Sequence, residues 1–272
     1  MWVDPFIEPF QYQFMIRALI VCVSVGVMCP LLGAHVINRE MGFMGDALAH
    51  AVLPGMVAAY AMGLSPLMGA IPTGIVVALA IGFMVKKSNI SNDTSIGILF
   101  TGLFALGLVL ISAMGGIGVN IEDILLGQVM SISDAEVYVT ICLTVITLGL
   151  MVMLYKQMIF IGFDFEGATV AGLSASRINY LLLALLSIVI VVTLQVVGIV
   201  LVVGMLITPA AAASLVARRF SRVILLGILF GVLSAIAGLY LSYHFNLPSG
   251  PAIALTSTLI FILSFIAKWS RS

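Results

Sequence analysis

The chain has 272 residues, 62% of them apolar and only 8% charged, and its mean hydropathy is +1.28. Soluble domains carry roughly 25% charged and 45–50% apolar residues, so a water-soluble fold is excluded and lipid is the solvent. Eleven basic residues balance eleven acidic ones, which leaves no charge footprint for nucleic acid.

A membrane helix needs about 20 apolar residues. In chain order the predicted crossing segments run near 14–36, 43–63, 66–85, 94–114, 135–155, 178–197, 198–216, 223–243 and 251–267. The fold class expected is therefore an all-α membrane protein, a single polytopic bundle of about nine transmembrane segments. The count falls to eight if 178–216 is one passage broken at Thr208-Pro209. The opening M-W-V-D-P-F-I-E-P-F has two acids and no Lys or Arg, unlike a secretory signal. Cys22, Cys29 and Cys142 lie in apolar runs without C-x-x-C spacing and read as small core residues.

Basic residues in short loops set the orientation. Arg39 follows the first segment, Lys86 and Lys87 the third, and Lys156 and Arg177 bracket the loop after the fifth. Arg218, Arg219 and Arg222 follow the seventh, and Lys268 and Arg271 end the chain. The alternate loops have no Lys or Arg, so the amino terminus is expected outside and the carboxyl terminus in the cytoplasm. Eight passages conflict with this pattern. Arg17 is near enough to the outer end of its segment to snorkel, and His35 and His244 sit at span ends, where an interfacial place is expected.

Two loops have room for structure. The stretch 119–133 on the outer side has apolar residues at helical spacing, and a short surface helix is expected there. On the inner side, 162–177 is too polar to cross and is interrupted by Gly172. It reads as a docking element in which Asp164 and Glu166 either meet a partner or are solvated loop charges.

The second segment carries G-D-A-L-A-H-A-V-L-P-G, from Gly45 to Gly55. Asp46 and His50 are four residues apart and share one helix face. With a rise of about 1.5 Å per residue they lie roughly 6 and 12 Å into the segment. Asp46 is the single acid well inside any span, and ionisable groups in lipid mark a pathway or ligand by default. Carboxylate and imidazole together suit a borderline or harder divalent ion. A cap or an interhelical hydrogen bond is the plainer role for each. Two ligands do not complete a shell; two copies meeting beside this segment supply two Asp and two His. Pro54 removes a backbone hydrogen bond and is expected to kink the helix just past His50.

There is no G-x-x-x-x-G-K-[ST], no H-E-x-x-H and no G-x-S-x-G, which argues against a P-loop nucleotide site and common hydrolase motifs. The run N-R-E-M-G-F-M-G-D-A-L-A-H-A-V-L-P-G (38–55) resembles the signature of the zinc/manganese/iron branch of bacterial ABC-transporter permeases. V-G-I-V-L-V-V-G-M-L-I-T-P-A-A-A-A (197–213) and the outer L-L-G-Q-V-M-S-I-S are similar to that family as well. One departure is a single basic residue, Arg39, where the family often has two before the first motif.

This resemblance implies a multi-pass permease subunit of the bacterial plasma membrane, without an ATPase site of its own. Its partners would be a second copy, separate ABC ATPase subunits and an extracytoplasmic metal-binding protein. No cofactor would stay bound; the cargo would be Mn²⁺ first, with Zn²⁺ or Fe²⁺ as alternatives, passing Asp46 and His50. The 162–177 loop, with Asp164, Glu166 and Gly172, would couple to the ATPase. Two rival readings use the same pair, as a proton site in a secondary transporter or as the centre of an intramembrane metal-dependent hydrolase.

Overall fold

The computed structural model describes residues 11–88, 90–114 and 131–270, and all regular structure among them is helical. In chain order the helices are α1 (Gln13–Asn38), α2 (Met44–Ala51), α3 (Leu53–Ala61), α4 (Pro66–Ser88), α5 (Asn92–Ala113) and α6 (Asp134–Met153). They continue with α7 (Tyr155–Phe163), α8 (Phe165–Val170), α9 (Ala175–Val197), α10 (Ile199–Val216), α11 (Phe220–Phe245) and α12 (Ser249–Trp269). Eight of these are long and apolar enough to cross a membrane: α1, α4, α5, α6, α9, α10, α11 and α12. The outer-loop helix expected at 119–133 lies almost wholly outside the described residues.

The count of eight does not come from the place where the sequence put it. The sixth and seventh segments are separate helices, divided at Gly198, whose φ of +84° is a conformation that L side chains rarely adopt. No break occurs at Thr208-Pro209: α10 runs through Pro209. The second segment is the divided one. It forms α2 and α3, which meet at Val52, with Pro54 in the first turn of α3. A proline there has no hydrogen bond to lose within α3, but it cannot donate to the carbonyl of His50, so one continuous helix is interrupted.

The chain forms two compact units. The first takes the described residues of Met1–Ala34, Ile121–Leu148 and Val196–Ser272. Within it α10, α11 and α12 pack on one another. Small residues set how closely the backbones approach. A Cβ on Gly26 of α1 would lie 2.9 Å from the carbonyl oxygen of Gly231 on α11, and one on Gly231 would strike the Gly26 carbonyl. Gly33 abuts the Leu206 carbonyl in the same manner, and a Cβ on Gly238 would come within 2.8 Å of the Ile253 backbone nitrogen. Apolar burial gives no drive between helices in lipid, so this close packing supplies the association. Thr256 Oγ1 donates to the Ser234 carbonyl at 3.0 Å. Arg17 does not simply snorkel: its Nε and Nη2 bind both carboxylate oxygens of Asp134, at 2.8 and 2.9 Å.

The second unit takes the described residues of His35–Asn120 and Gly149–Gln195. Here α3 crosses α4 where Gly55 meets Gly69 and Thr73, and Gly74 of α4 faces Ser187 and Val191 of α9. Gly107 of α5 receives the side chain of Leu53, so α5 lies against the start of α3. His35, expected at an interface, is instead buried, with 2% of its surface exposed. It falls three residues, less than one turn, before the end of an α1 that runs on to Asn38, beyond the segment end expected from hydropathy.

Candidate functional site

Helix α2 has eight residues, and Met44, Gly45, Ala47, Leu48, Ala49 and Ala51 are all buried. The two that remain are Asp46 and His50, whose side chains are 44% and 26% exposed. The spacing of four thus produces one open polar stripe on an otherwise enclosed helix. The small residues of the motif are what let the other sides of α2 be covered.

The pair is in contact. His50 Nδ1 lies 2.9 Å from the Asp46 carbonyl oxygen and 3.6 Å from its carboxylate Oδ1. A carbonyl can only accept, so Nδ1 carries the proton and Nε2 of the neutral ring keeps its lone pair. That division of roles, one nitrogen oriented by an oxygen and the other free to ligate, is common in metal-binding histidines. The helix is interrupted two residues later, at Val52. Among the described residues no third His, Cys, Asp or Glu joins the pair in a metal-sized group.

Two residues of the site escaped sequence reasoning. The His50 ring stands edge-on to Phe100 and Phe104 of α5, with centroids 5.7 and 5.3 Å away and interplanar angles of 78° and 88°. The two phenyl rings are nearly parallel, 5.8 Å apart. Their only signal in the sequence is a spacing of four, which any apolar helix offers.

The inner-loop residues take separate places. Asp164 caps α8, accepting from the Gly167 N–H at 2.7 Å through Oδ1. Gly172 adopts a φ of +84° and ends the turn after α8. Glu166 borders a cavity of about 480 Å³ whose wall also includes Arg39, Lys86, Asn92, Ser176 and Asn179. Arg39, read from the sequence only as an orientation marker, is a packing centre. Its Nη1 donates to Asn179 Oδ1, and its carbonyl accepts from Asn92 Nδ2 at 2.9 Å. Burial lowers its pKa to about 10, which leaves it charged at neutral pH. Beside it Asn38 Nδ2 donates to the Gly162 carbonyl at 3.0 Å.

A polytopic helical membrane protein with an acid–imidazole stripe on an interrupted span belongs to the broad class of transport proteins. Comparisons narrow the class. The model of the ABC 3 transport family matches residues 11–268. The chain is 44% identical to the manganese transport system membrane protein MntC of Listeria monocytogenes, over 94% of its own length and 91% of the relative's. It is 37% identical to a probable iron transport system membrane protein of Haemophilus influenzae, over 96% of each chain. It matches a chain in the solved structure of PsaBC from Streptococcus pneumoniae in complex with Fab, with a TM-score of 0.83 and 35% identity. That match covers 97% of this chain and 95% of the other. The chain belongs to the ABC 3 transport family, and it is a multi-pass protein of the bacterial plasma membrane.

Proposed function

We propose that this chain is the permease subunit of an ATP-driven importer of divalent transition metal ions, with manganese the first candidate and iron or zinc the alternatives. Relatives named for manganese and for iron transport support the cargo class. The observation that carries the residue assignment is the stripe on α2, where only Asp46 and His50 are left uncovered and the Nε2 lone pair is free. Carboxylate oxygen and imidazole nitrogen together match Mn²⁺ or Fe²⁺ better than a thiolate set would. A second copy of the chain apposed at this stripe contributes the other half of a coordination shell.

The permease has no nucleotide site of its own in this reading. Separate ATPase subunits dock at 162–177, where the short capped α8 receives their motion, and an extracytoplasmic metal-binding protein delivers the ion on the other side. With α2 and α3 together as one broken passage beside the eight long helices the count is nine, and the basic loops then put the amino terminus outside and the carboxyl terminus in the cytoplasm. Alternating access then follows from ATP-driven closure of the partners.

Asp46→Ala and His50→Ala are expected to reduce Mn²⁺ accumulation to background in cells lacking other importers, while the variants still copurify with the ATPase. Full accumulation by both variants would remove the pair from the route. Uptake by the chain alone in liposomes, driven by a proton gradient, would instead favour a secondary transporter.

A further inference from the structure

We infer that Phe100 and Phe104 are positioning residues for His50, holding its ring so that Nε2 faces the approaching cation. The inference rests on the reading of His50 as a ligand of the cargo. The ring has one hydrogen bond, from Nδ1 to the Asp46 carbonyl, and a single bond leaves the imidazole plane free to rock about it. Two nearly parallel phenyl rings, each roughly perpendicular to the imidazole, remove that freedom. Edge-to-face contact is the favoured arrangement for such rings at these separations. The pair is also fixed in register. Phe100, Phe104 and Gly107 follow one another at helical spacing along one side of α5, and Gly107 receives Leu53 just after the interruption. The same stripe of α5 therefore braces the last turn of α2 and the first turn of α3. A ligand at a helix end has no following turn to restrain it, so the restraint comes from across the bundle.

The test uses the complete complex in nanodiscs, with ¹⁵N-labelled histidine. The chain has three histidines, and His50→Ala assigns the signal. In the parent complex the metal-free ring should be a single species protonated at Nδ1. Titration with Zn²⁺, a diamagnetic probe, should shift Nε2. Phe100→Leu with Phe104→Leu keeps an apolar wall but removes both rings. It should give a mixture of tautomers and weaken Zn²⁺ binding by about tenfold, the scale of one or two aromatic contacts. Phe104→Tyr should leave both readouts within about twofold of the parent, since its ring faces His50 in the same way. Leucine variants with one tautomer and unchanged Zn²⁺ affinity would overturn the inference, and so would a tyrosine variant as impaired as leucine. If Zn²⁺ fails to shift His50 in the parent complex, the ligand reading falls. The tautomer comparison still decides whether the phenyl pair orients the ring. Should the double variant not assemble, the single Phe100→Leu change is read by the same two signals.

Discussion

Pro54 and Pro209 both stand among small residues, and the helices around them respond in opposite ways. Before Pro54 the helix is interrupted at Val52, and α2 ends one residue after His50. At Pro209 helix α10 continues to Val216. The backbone defect is the same in both, a missing N–H and a ring against the preceding turn. The surroundings differ. Pro209, Ala210, Ala212 and Ala213 are buried, and α10 is gripped by α11 and α12, with Gly33 of α1 pressed on the Leu206 carbonyl. Neighbours that close keep the helix continuous through the proline. In α2 the side that bears Asp46 is open, and α5 meets it only at its end, at His50 and Leu53. A proline marks where a membrane helix can be interrupted, and its neighbours help decide whether it is.

The comparison breaks first if the grip on α10 is loosened. Gly33→Val drives a side chain into the Leu206 backbone, and a loss of about 3 kcal/mol is expected, read as a fall in the temperature at which the detergent-purified protein remains monodisperse. If that temperature is unchanged, packing is not what supports α10. A more moderate effect is expected at the interruption. Pro54→Ala restores an N–H to the His50 carbonyl and favours one continuous helix. Metal uptake should fall by about tenfold, the result of a bias near 1.4 kcal/mol against the bent form, with thermal stability equal or higher. Uptake at the parent rate would show that the bend is incidental. The smallest effect belongs to Pro209→Ala, expected to change uptake by less than about twofold and stability by less than about 1 kcal/mol. A large loss there would mean that the proline, and not its neighbours, shapes α10.

Local chemistry was readable before the structure, and long-range contact was not. The face shared by Asp46 and His50, and the disturbance after His50, follow from spacing and from a proline. The divided span was sought in the wrong place because 178–216 lacks a polar loop, and the positive φ that Gly198 alone permits there is invisible in a hydropathy trace. Arg39 looked like a mark of sidedness, since its bonds to Asn179 and Asn92 join residues 140 and 53 positions apart. The capping role of Asp164 is written in D-F-E-G, an acid just ahead of a helix start, and is compatible with either reading of its charge. The phenyl rings beside His50 were out of reach for the same reason as Arg39: their partner lies on another helix.

The crossing of Gly26 and Gly231 has a consequence for how the chain tolerates change. Each carbonyl fills the volume that a side chain on the opposite helix would need, so the two positions behave as one joint with a single fitting. A methyl group added on either side cannot be accommodated by trimming the other, because neither has anything left to remove. Suppressors of Gly26→Ala should therefore arise where α11 as a whole can slide or tilt, at its ends, and not at the point of contact.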